Sequence, residues 1–182
     1  MRRPAAGGGR GPCIGRAEII PHVEAVIAAT GADIRIGGDM AFYAPGPDFI
    51  QVPLQEAYFE PINWYRTKLH ELGHWSGHAS RLNRDFTGKR GGGAYARDEL
   101  VAELCAAFLC AELCVAPTVR HANYLVACLE VLKADNRAIF QAASLGSKAA
   151  EFVKGRKPAG GTGYVAASAL SSANPSCANS SA

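Results

Sequence analysis

The sequence lacks three features that would each define a class of protein. It has no CxxC pair among its six cysteines, although Cys110 and Cys114, one helical turn apart, leave a metal pair open as an alternative. It has no uncharged apolar run near the roughly 18 residues of a membrane-spanning helix, so we expect no membrane span. Residues 1–15 have no apolar segment of the signal-peptide kind. These absences predict a cytoplasmic, reducing setting in which the inner cysteines are small core residues.

The net charge of the sequence is small, and its basic residues are unevenly distributed. The formal net charge is +3 over 182 residues, and basic residues are grouped towards both ends. Basic ends can touch nucleic acid, but solvated tails are the favoured interpretation. The composition predicts a disordered basic Gly/Pro-rich segment at 1–16 and a low-complexity disordered tail at 156–182. One folded domain is therefore expected at 17–155, long enough to bury a core.

The spacing of apolar residues within this domain predicts an α+β fold. Short β-type runs are separated by strong turn sequences, which predicts a small antiparallel sheet packed on a helical layer. Longer segments repeat their apolar residues every three or four positions, as amphipathic helices do. The predicted helices cover 19–30, 62–78, 96–115, 117–134 and 136–153, and the predicted strands cover 33–36, 40–43 and 49–52.

The helix predicted at 62–78 carries the HExxH pattern, with His70, Glu71 and His74. Residues four apart lie on one face of a helix, so the two imidazoles can share one Zn²⁺ at about 2.0–2.1 Å. Glu71 projects beside the metal, where it can take a proton from a zinc-activated water and later pass it to a leaving amine. The pattern predicts the zinc site of a metallopeptidase. A surface helix that merely carries two histidines is the alternative.

A catalytic zinc needs a third protein ligand, and the helix predicted at 96–115 offers two carboxylates. Glu99 and Glu103 lie one turn apart on a helix that is apolar on nearly every side, where charged groups are costly unless they are paired. A cation between them and the histidines would remove that cost. The pattern resembles the ExxxD/E signature of gluzincins, which implies that Glu99 is the third ligand and that Glu103 orients a ligand imidazole. An exposed acidic pair without a metal is the alternative.

Other side chains near the motif give less specific signals. His78 continues the face of the two motif histidines but lies one turn too far, so a hydrogen bond or a substrate contact is expected instead of ligation. Tyr95 lies one turn before Glu99 and could donate a hydrogen bond to an oxyanion. Trp64 and Trp75, at the ends of the motif helix, are expected in the core or in the wall of a cleft.

Three stretches far apart in the chain resemble one family. They read TGADIRIGGDMAFYAPGPDFIQVP, LHELGHWSGHASRLNRD and YARDELVAELCAAFLCAEL. They are similar to the zincin-like C-terminal domain of ArdC-type antirestriction proteins, which conjugative plasmids and related mobile elements carry. The resemblance runs over about 17–153 of the chain. It implies a metallopeptidase-like domain, which full-length members join to an N-terminal single-stranded-DNA-binding domain that we do not expect here.

The sequence therefore predicts a zinc-dependent metallopeptidase-like domain of an antirestriction protein, with Glu71 as the general base. The zinc ligands are predicted to be His70, His74 and Glu99. A peptide or protein substrate is expected to bind along an edge strand of the sheet. The alternatives are a non-hydrolytic, single-stranded-DNA-associated antirestriction protein that retains zinc, and an inactive fragment. Binding to single-stranded DNA is expected to be weak and to use the tails and the loop residues Arg81, Arg84, Lys89 and Arg90.

Overall fold

Helices and a small sheet make up the described part of the chain. The structure is a computed structural model and describes residues 19–84, 93–116, 133 and 137–156. The elements are helix α1 (Pro21–Ala29), strands β1 (Asp33–Ile36), β2 (Phe42–Ala44) and β3 (Phe49–Val52), a 3₁₀ turn (Gln55–Ala57), and helices α2 (Pro61–Ser76), α3 (Gly93–Glu112) and α4 (Ala138–Lys154). The predicted α+β class is confirmed. The helix predicted at 117–134 lies outside the described residues except for position 133. The segments predicted at 1–16 and 156–182 also lie outside them, except for position 156.

The sheet is mixed, which corrects the prediction of an antiparallel sheet. Strand β3 is central; it runs antiparallel to β2 and parallel to β1. The burial pattern explains this order, because β3 carries the fully buried Ile50 and Val52 whereas β1 is mostly exposed. Neighbouring parallel strands usually need a long crossover connection. Here β2 lies within the connection between β1 and β3, so the chain reverses twice and no crossover helix is required.

Helix α2 packs its apolar face on the buried side of the sheet. It begins at Pro61, whose fixed φ suits the first turn of a helix. The buried apolar side chains of this helix join Ile50 and Val52 in one core. As expected for the two tryptophans, that set is Trp64, Tyr65, Leu69, Leu72 and Trp75. The same packing leaves the histidine face of the helix directed towards α3.

Helix α3 packs between α2 and α4 and approaches both at backbone distance. Gly73 of α2 makes the first approach possible, because an added Cβ would collide with the backbone of Ala102. Gly146 of α4 makes the second possible, since a Cβ there would lie 2.9 Å from the Cβ of Leu104. The glycine contact at α2 brings the acidic residues of α3 beside the two motif histidines. Within the part of the chain that the structure describes, no helix has the length and hydropathy to cross a membrane.

The cysteines of α3 are core thiols. Cys105 and Cys110 are buried and free, and burial raises their pKa values to about 12 and about 11. Cys114 is exposed and follows the end of the helix with a φ of 53°. The helical spacing that suggested a metal pair with Cys110 is therefore not formed, and neither thiol joins a group of metal-binding side chains among the described residues.

Candidate metal centre

Three predicted ligand side chains converge between α2 and α3. The Nε2 atoms of His70 and His74 lie 3.2 Å apart. Glu99 places Oε2 at 3.5 Å from Nε2 of His70 and Oε1 at 3.6 Å from Nε2 of His74. Three donors that each lie about 2.0–2.2 Å from one tetrahedral ion are roughly 3.3–3.6 Å from one another. The two nitrogens already lie near this spacing, and a single oxygen of Glu99 lies within 4.8 Å of both. We call these three donor atoms the donor triangle, and a small shift of the Glu99 carboxylate would fit it to a divalent ion.

Local structure explains how this triangle forms. His70 and His74 are one helical turn apart on α2, and their rings meet edge to face with centroids 4.8 Å apart. Glu99 lies on α3, which the contact at Gly73 holds against α2. Among the described residues, these three form a group whose donor atoms all lie within 4.8 Å of one another. The structure thus brings together the three residues that the sequence nominated as ligands.

The side chains of His70, His74 and Glu99 form an ion-pair network. Burial opposes the charge on His74, but its hydrogen bonds to Asp98 and Glu99 raise its pKa to about 10. Burial also opposes the charge on Glu99, yet hydrogen bonds from both imidazoles hold its pKa well below the usual range. The imidazole of His74 and the carboxylate of Glu99 therefore each favour the charged form of the other.

Glu71 lies beside the donor triangle and is not part of it. Its side chain is buried, and burial raises the pKa of its carboxyl, although the two neighbouring imidazoles oppose this shift. The backbone N–H of Tyr43 on β2 donates a hydrogen bond to the carboxylate. A cleft of about 390 Å³ exposes these groups between β2 and the two helices. Its walls are Ala41, Phe42, Tyr43, Pro45, His70, Glu71, His74, Tyr95, Asp98 and Glu99.

A carboxylate that the sequence did not single out holds one of the imidazoles. Nδ1 of His74 donates a hydrogen bond of 2.7 Å to Oδ2 of Asp98, and Nε of Arg84 donates one of 2.9 Å to Oδ1. Glu103, which was expected to orient an imidazole, faces Nδ1 of His70 at 3.4 Å but makes no hydrogen bond to it. The position of Asp98, directly before Glu99 on an apolar helix, was the one signal available in the sequence.

Tyr95 and His78 both lie outside the donor triangle. Tyr95 lines the cleft, and its hydroxyl makes a hydrogen bond to Glu99. Nδ1 of His78 accepts hydrogen bonds from the hydroxyl of Ser80 at 2.8 Å and from its backbone N–H at 3.2 Å, and His78 does not join the donor triangle. The expectation of a plain hydrogen bond for His78 is therefore confirmed.

The loop after α2 was expected to offer arginines to DNA, but the described ones are used inside the protein. Arg81 forms a two-point ion pair with Asp48 at 2.5 and 3.0 Å, and its side chain is 9% exposed. The side chain of Arg84 is 6% exposed and pairs with Asp98. Lys89 and Arg90 lie outside the described residues. Neither described arginine of the loop is therefore presented to solvent.

Comparison with known proteins identifies the class. The chain matches the zincin-like metallopeptidase family over residues 21–145. The chain therefore belongs to the zincin-like metallopeptidase family. Among solved structures, it is similar to the antirestriction protein ArdC of plasmid R388, with a TM-score of 0.68 for the Mn(II)-bound form and 0.67 for the metal-free form, at 38% identity. The resemblance to ArdC-type proteins is thus confirmed.

Two further proteins are similar to this chain in sequence. The protein y4eC of Sinorhizobium fredii (strain NBRC 101917 / NGR234) is 40% identical over 144 residues, and a DNA primase TraC of Escherichia coli is 40% identical over 136 residues. The alignments cover 78% and 74% of this chain, but only 47% and 13% of the relatives. The ArdC match covers 77% of this chain and 53% of the Mn(II)-bound ArdC chain. The chain thus spans about half of y4eC and of ArdC, and a smaller share of the primase.

Proposed function

We propose that this chain is the zinc-dependent metallopeptidase domain of an antirestriction protein and that it hydrolyses peptide bonds. The observation that carries the proposal is the donor triangle of His70, His74 and Glu99 with the buried carboxylate of Glu71 beside it. A purely structural zinc site is usually closed by four protein ligands and would give Glu71 no task. Three ligands and an adjacent base in an open cleft are instead the parts of a hydrolytic site.

The ion itself is proposed from the donors. Two imidazoles and one carboxylate suit zinc, which has catalytic sites of this composition. The Mn(II)-bound form of ArdC supports the weaker proposal that the site accepts a divalent ion. When bound, such an ion supplies Lewis-acid polarisation of a carbonyl oxygen and of a water molecule.

The side chains of this chain would supply proton transfer and positioning. Glu71 would accept a proton from the attacking water and deliver it to the leaving amine. Its buried position raises the pKa of the carboxyl, which makes the carboxylate a better base near neutral pH. Tyr95 lies in the cleft wall and its hydroxyl donates to Glu99; by turning its single O–H away from Glu99 it would donate to the substrate oxygen instead.

The substrate would lie along strand β2. Among the described residues this strand is an edge of the sheet, because it pairs there with β3 on one side only, and it forms one wall of the cleft. An extended peptide can add to such an edge by backbone hydrogen bonds. The hydrogen bond from Tyr43 places the edge directly against Glu71. A peptide or protein segment in extended conformation is therefore the proposed substrate class.

A broad peptide-cleavage screen of the zinc-loaded protein tests the proposal. The wild type should cleave at least one peptide. Glu71→Gln should keep the metal and the fold because glutamine has nearly the same size, but it should lower the cleavage rate by about 10²–10⁴-fold. Glu56→Gln makes the same chemical change at an exposed position outside the cleft and should leave the rate unchanged.

The alternative function predicts a different pattern. A non-hydrolytic antirestriction protein would protect DNA from restriction equally well as the wild type and as Glu71→Gln. No peptide would be cleaved by either protein, although both would hold the metal. That combination would replace the peptidase proposal with the non-hydrolytic one.

A further inference from the structure

The side chain of Arg84 reaches back from the loop after α2 into the interior behind the metal centre. Its Nε donates to Oδ1 of Asp98 at 2.9 Å, Nη1 donates to the hydroxyl of Ser76 at 2.8 Å, and Nη2 donates to the carbonyl of Gly73 at 2.6 Å. All three guanidinium nitrogens thus have protein acceptors, and the side chain is 6% exposed. Arg84 therefore connects two points on α2 with one point on α3.

Each oxygen of Asp98 accepts a hydrogen bond from a different partner. One oxygen accepts from Arg84, and the other accepts from Nδ1 of His74 at 2.7 Å. The residue is 7% exposed. Asp98 binds Nδ1 of His74, whereas Nε2 of the same ring faces Glu99, so Asp98 lies behind the imidazole and is not part of the donor triangle. Its place is to fix which nitrogen of His74 carries the proton and which nitrogen faces Glu99.

The other imidazole has weaker support. Nδ1 of His70 is buried but makes no hydrogen bond, and Glu103 faces it at 3.4 Å. Behind Glu103, Arg66 makes a contact of 3.2 Å, with a side chain that is 26% exposed against 6% for Arg84. The two histidines are therefore held unequally, and His74 is the one whose orientation is fixed.

We propose that Arg84 is a positioning residue of the metal centre, which acts through Asp98 to hold His74 in the orientation that binds the ion. The inference rests on the proposed metal site and adds to it a residue outside the HExxH pattern. A guanidinium with several fixed donors holds a carboxylate in one orientation. The carboxylate in turn fixes the ring of His74, so that its Nε2 atom points to the donor triangle before any ion arrives.

A purely structural role is the competing explanation. Arg84 also binds the carbonyl of Gly73, near the end of α2, where a cation stabilises the last turn of a helix. Loss of such a contact would lower the melting temperature of the metal-free protein without changing the affinity of the folded protein for metal. Metal affinity measured below the melting transition therefore separates the two roles.

The experiment measures the dissociation constant for Zn²⁺ by competition with a chromophoric chelator, using the full chain. Arg84→Gln and Asp98→Asn should each weaken binding by about 10–100-fold. The double variant should bind Zn²⁺ no more weakly than the weaker-binding of the two single variants, because Arg84 acts through Asp98. Arg66→Gln, the matched change behind His70, should have a smaller effect. Circular dichroism checks that each variant is folded, and Asp98→Asn alone provides the test where Arg84→Gln does not fold.

The possible outcomes are distinct. The positioning role would be overturned, with the metal site intact, if Arg84→Gln weakened Zn²⁺ binding no more than Arg66→Gln does. Fold losses in Zn²⁺ affinity that multiply in the double variant would have the same consequence. If Arg84→Gln does not fold, Asp98→Asn is compared with Arg66→Gln instead. Equal Zn²⁺ affinities of these two variants would likewise overturn the positioning role and leave the metal site intact. No Zn²⁺ binding by the wild type would overturn the metal site itself, and the positioning role with it.

Discussion

A Cβ atom on Gly73 would lie 2.9 Å from the Cα of Ala102 and 3.1 Å from its carbonyl oxygen. Real Cβ atoms essentially never approach another heavy atom below about 3 Å, because packed interiors have no spare volume at such contacts. Gly73, which directly precedes His74 in the HExxH pattern, is thus the point at which α2 contacts α3, the helix that carries Glu99.

This contact predicts that Gly73→Ala destabilises the protein. A helix is more stable with alanine than with glycine at an interior position by about 1 kcal/mol. Overpacking against backbone atoms, however, costs about 1–3 kcal/mol. The helices must therefore separate, and Glu99 should move away from the two imidazoles. We expect a lower unfolding midpoint in urea together with weaker metal binding.

Gly46→Ala is the control for this change. Gly46 has no atom within 4 Å of the position where a Cβ would be placed. Its unfolding midpoint should stay near that of the wild type. Equal midpoints for the two variants would mean that α2 and α3 can adjust to a side chain, and that the glycine is not needed for the approach.

The roles of Glu99 and Glu103 can be separated by metal titration. Glu99→Ala removes a donor of the triangle and should remove most of the bound metal, as should His70→Ala. Glu103→Ala should weaken binding by no more than about 10–100-fold, since Glu103 faces the outer nitrogen of His70. A reversed order of effects, with Glu103→Ala the more damaging, would assign the third ligand to Glu103.

The ion pair between Asp48 and Arg81 predicts a pH dependence of stability. The hydrogen bonds from Arg81 lower the pKa of Asp48 from 3.8 to about 2. A carboxyl whose pKa is lower in the folded state stabilises that state above its unfolded pKa, and this contribution is lost as the pH falls. We expect it to disappear between about pH 4 and pH 2. Denaturant unfolding of metal-free protein across this range measures the loss.

Asp48→Asn provides the comparison for the pH series. Asp48 has a φ of 54°, and asparagine tolerates this left-handed conformation as well as aspartate does. The difference in unfolding free energy between wild type and variant should shrink as the pH falls from 4 towards 2. A difference that stays constant over this range would show that another group is responsible.

Binding to single-stranded DNA is expected to be weak. Arg81 and Arg84 are engaged inside the protein, so replacing Arg81 by alanine should leave the salt dependence of DNA binding unchanged. Each lost phosphate contact would change that slope by slightly less than about one unit. Fluorescence anisotropy in a salt series measures it. Tight binding that is insensitive to salt would instead reveal a DNA site elsewhere in the chain.

The features that the sequence predicted are those that depend on the spacing of nearby residues. The placement of His70, Glu71 and His74 follows from helical spacing alone, and the bounds of β1 and β3 were predicted as observed. The order of the strands was not, because three short runs with turns between them are compatible with more than one pairing. The link from Arg84 to Asp98 was also missed, since it joins a loop to a helix fourteen residues away. Such contacts depend on how helices pack, which periodicity does not encode.

All three donors lie on two adjacent helices, so a bound metal ion would increase the stability of the folded state. A ligand that binds only the folded state stabilises it by about 2.7 kcal/mol when its free concentration is a hundred times its dissociation constant. An ion between α2 and α3 would act as a cross-link there, whereas α1 and β1 contribute none of its donors. Removal of the ion by a chelator should therefore speed amide hydrogen exchange chiefly in α2 and α3. In a cell, the supply of divalent metal would then set how long this protein survives proteolysis.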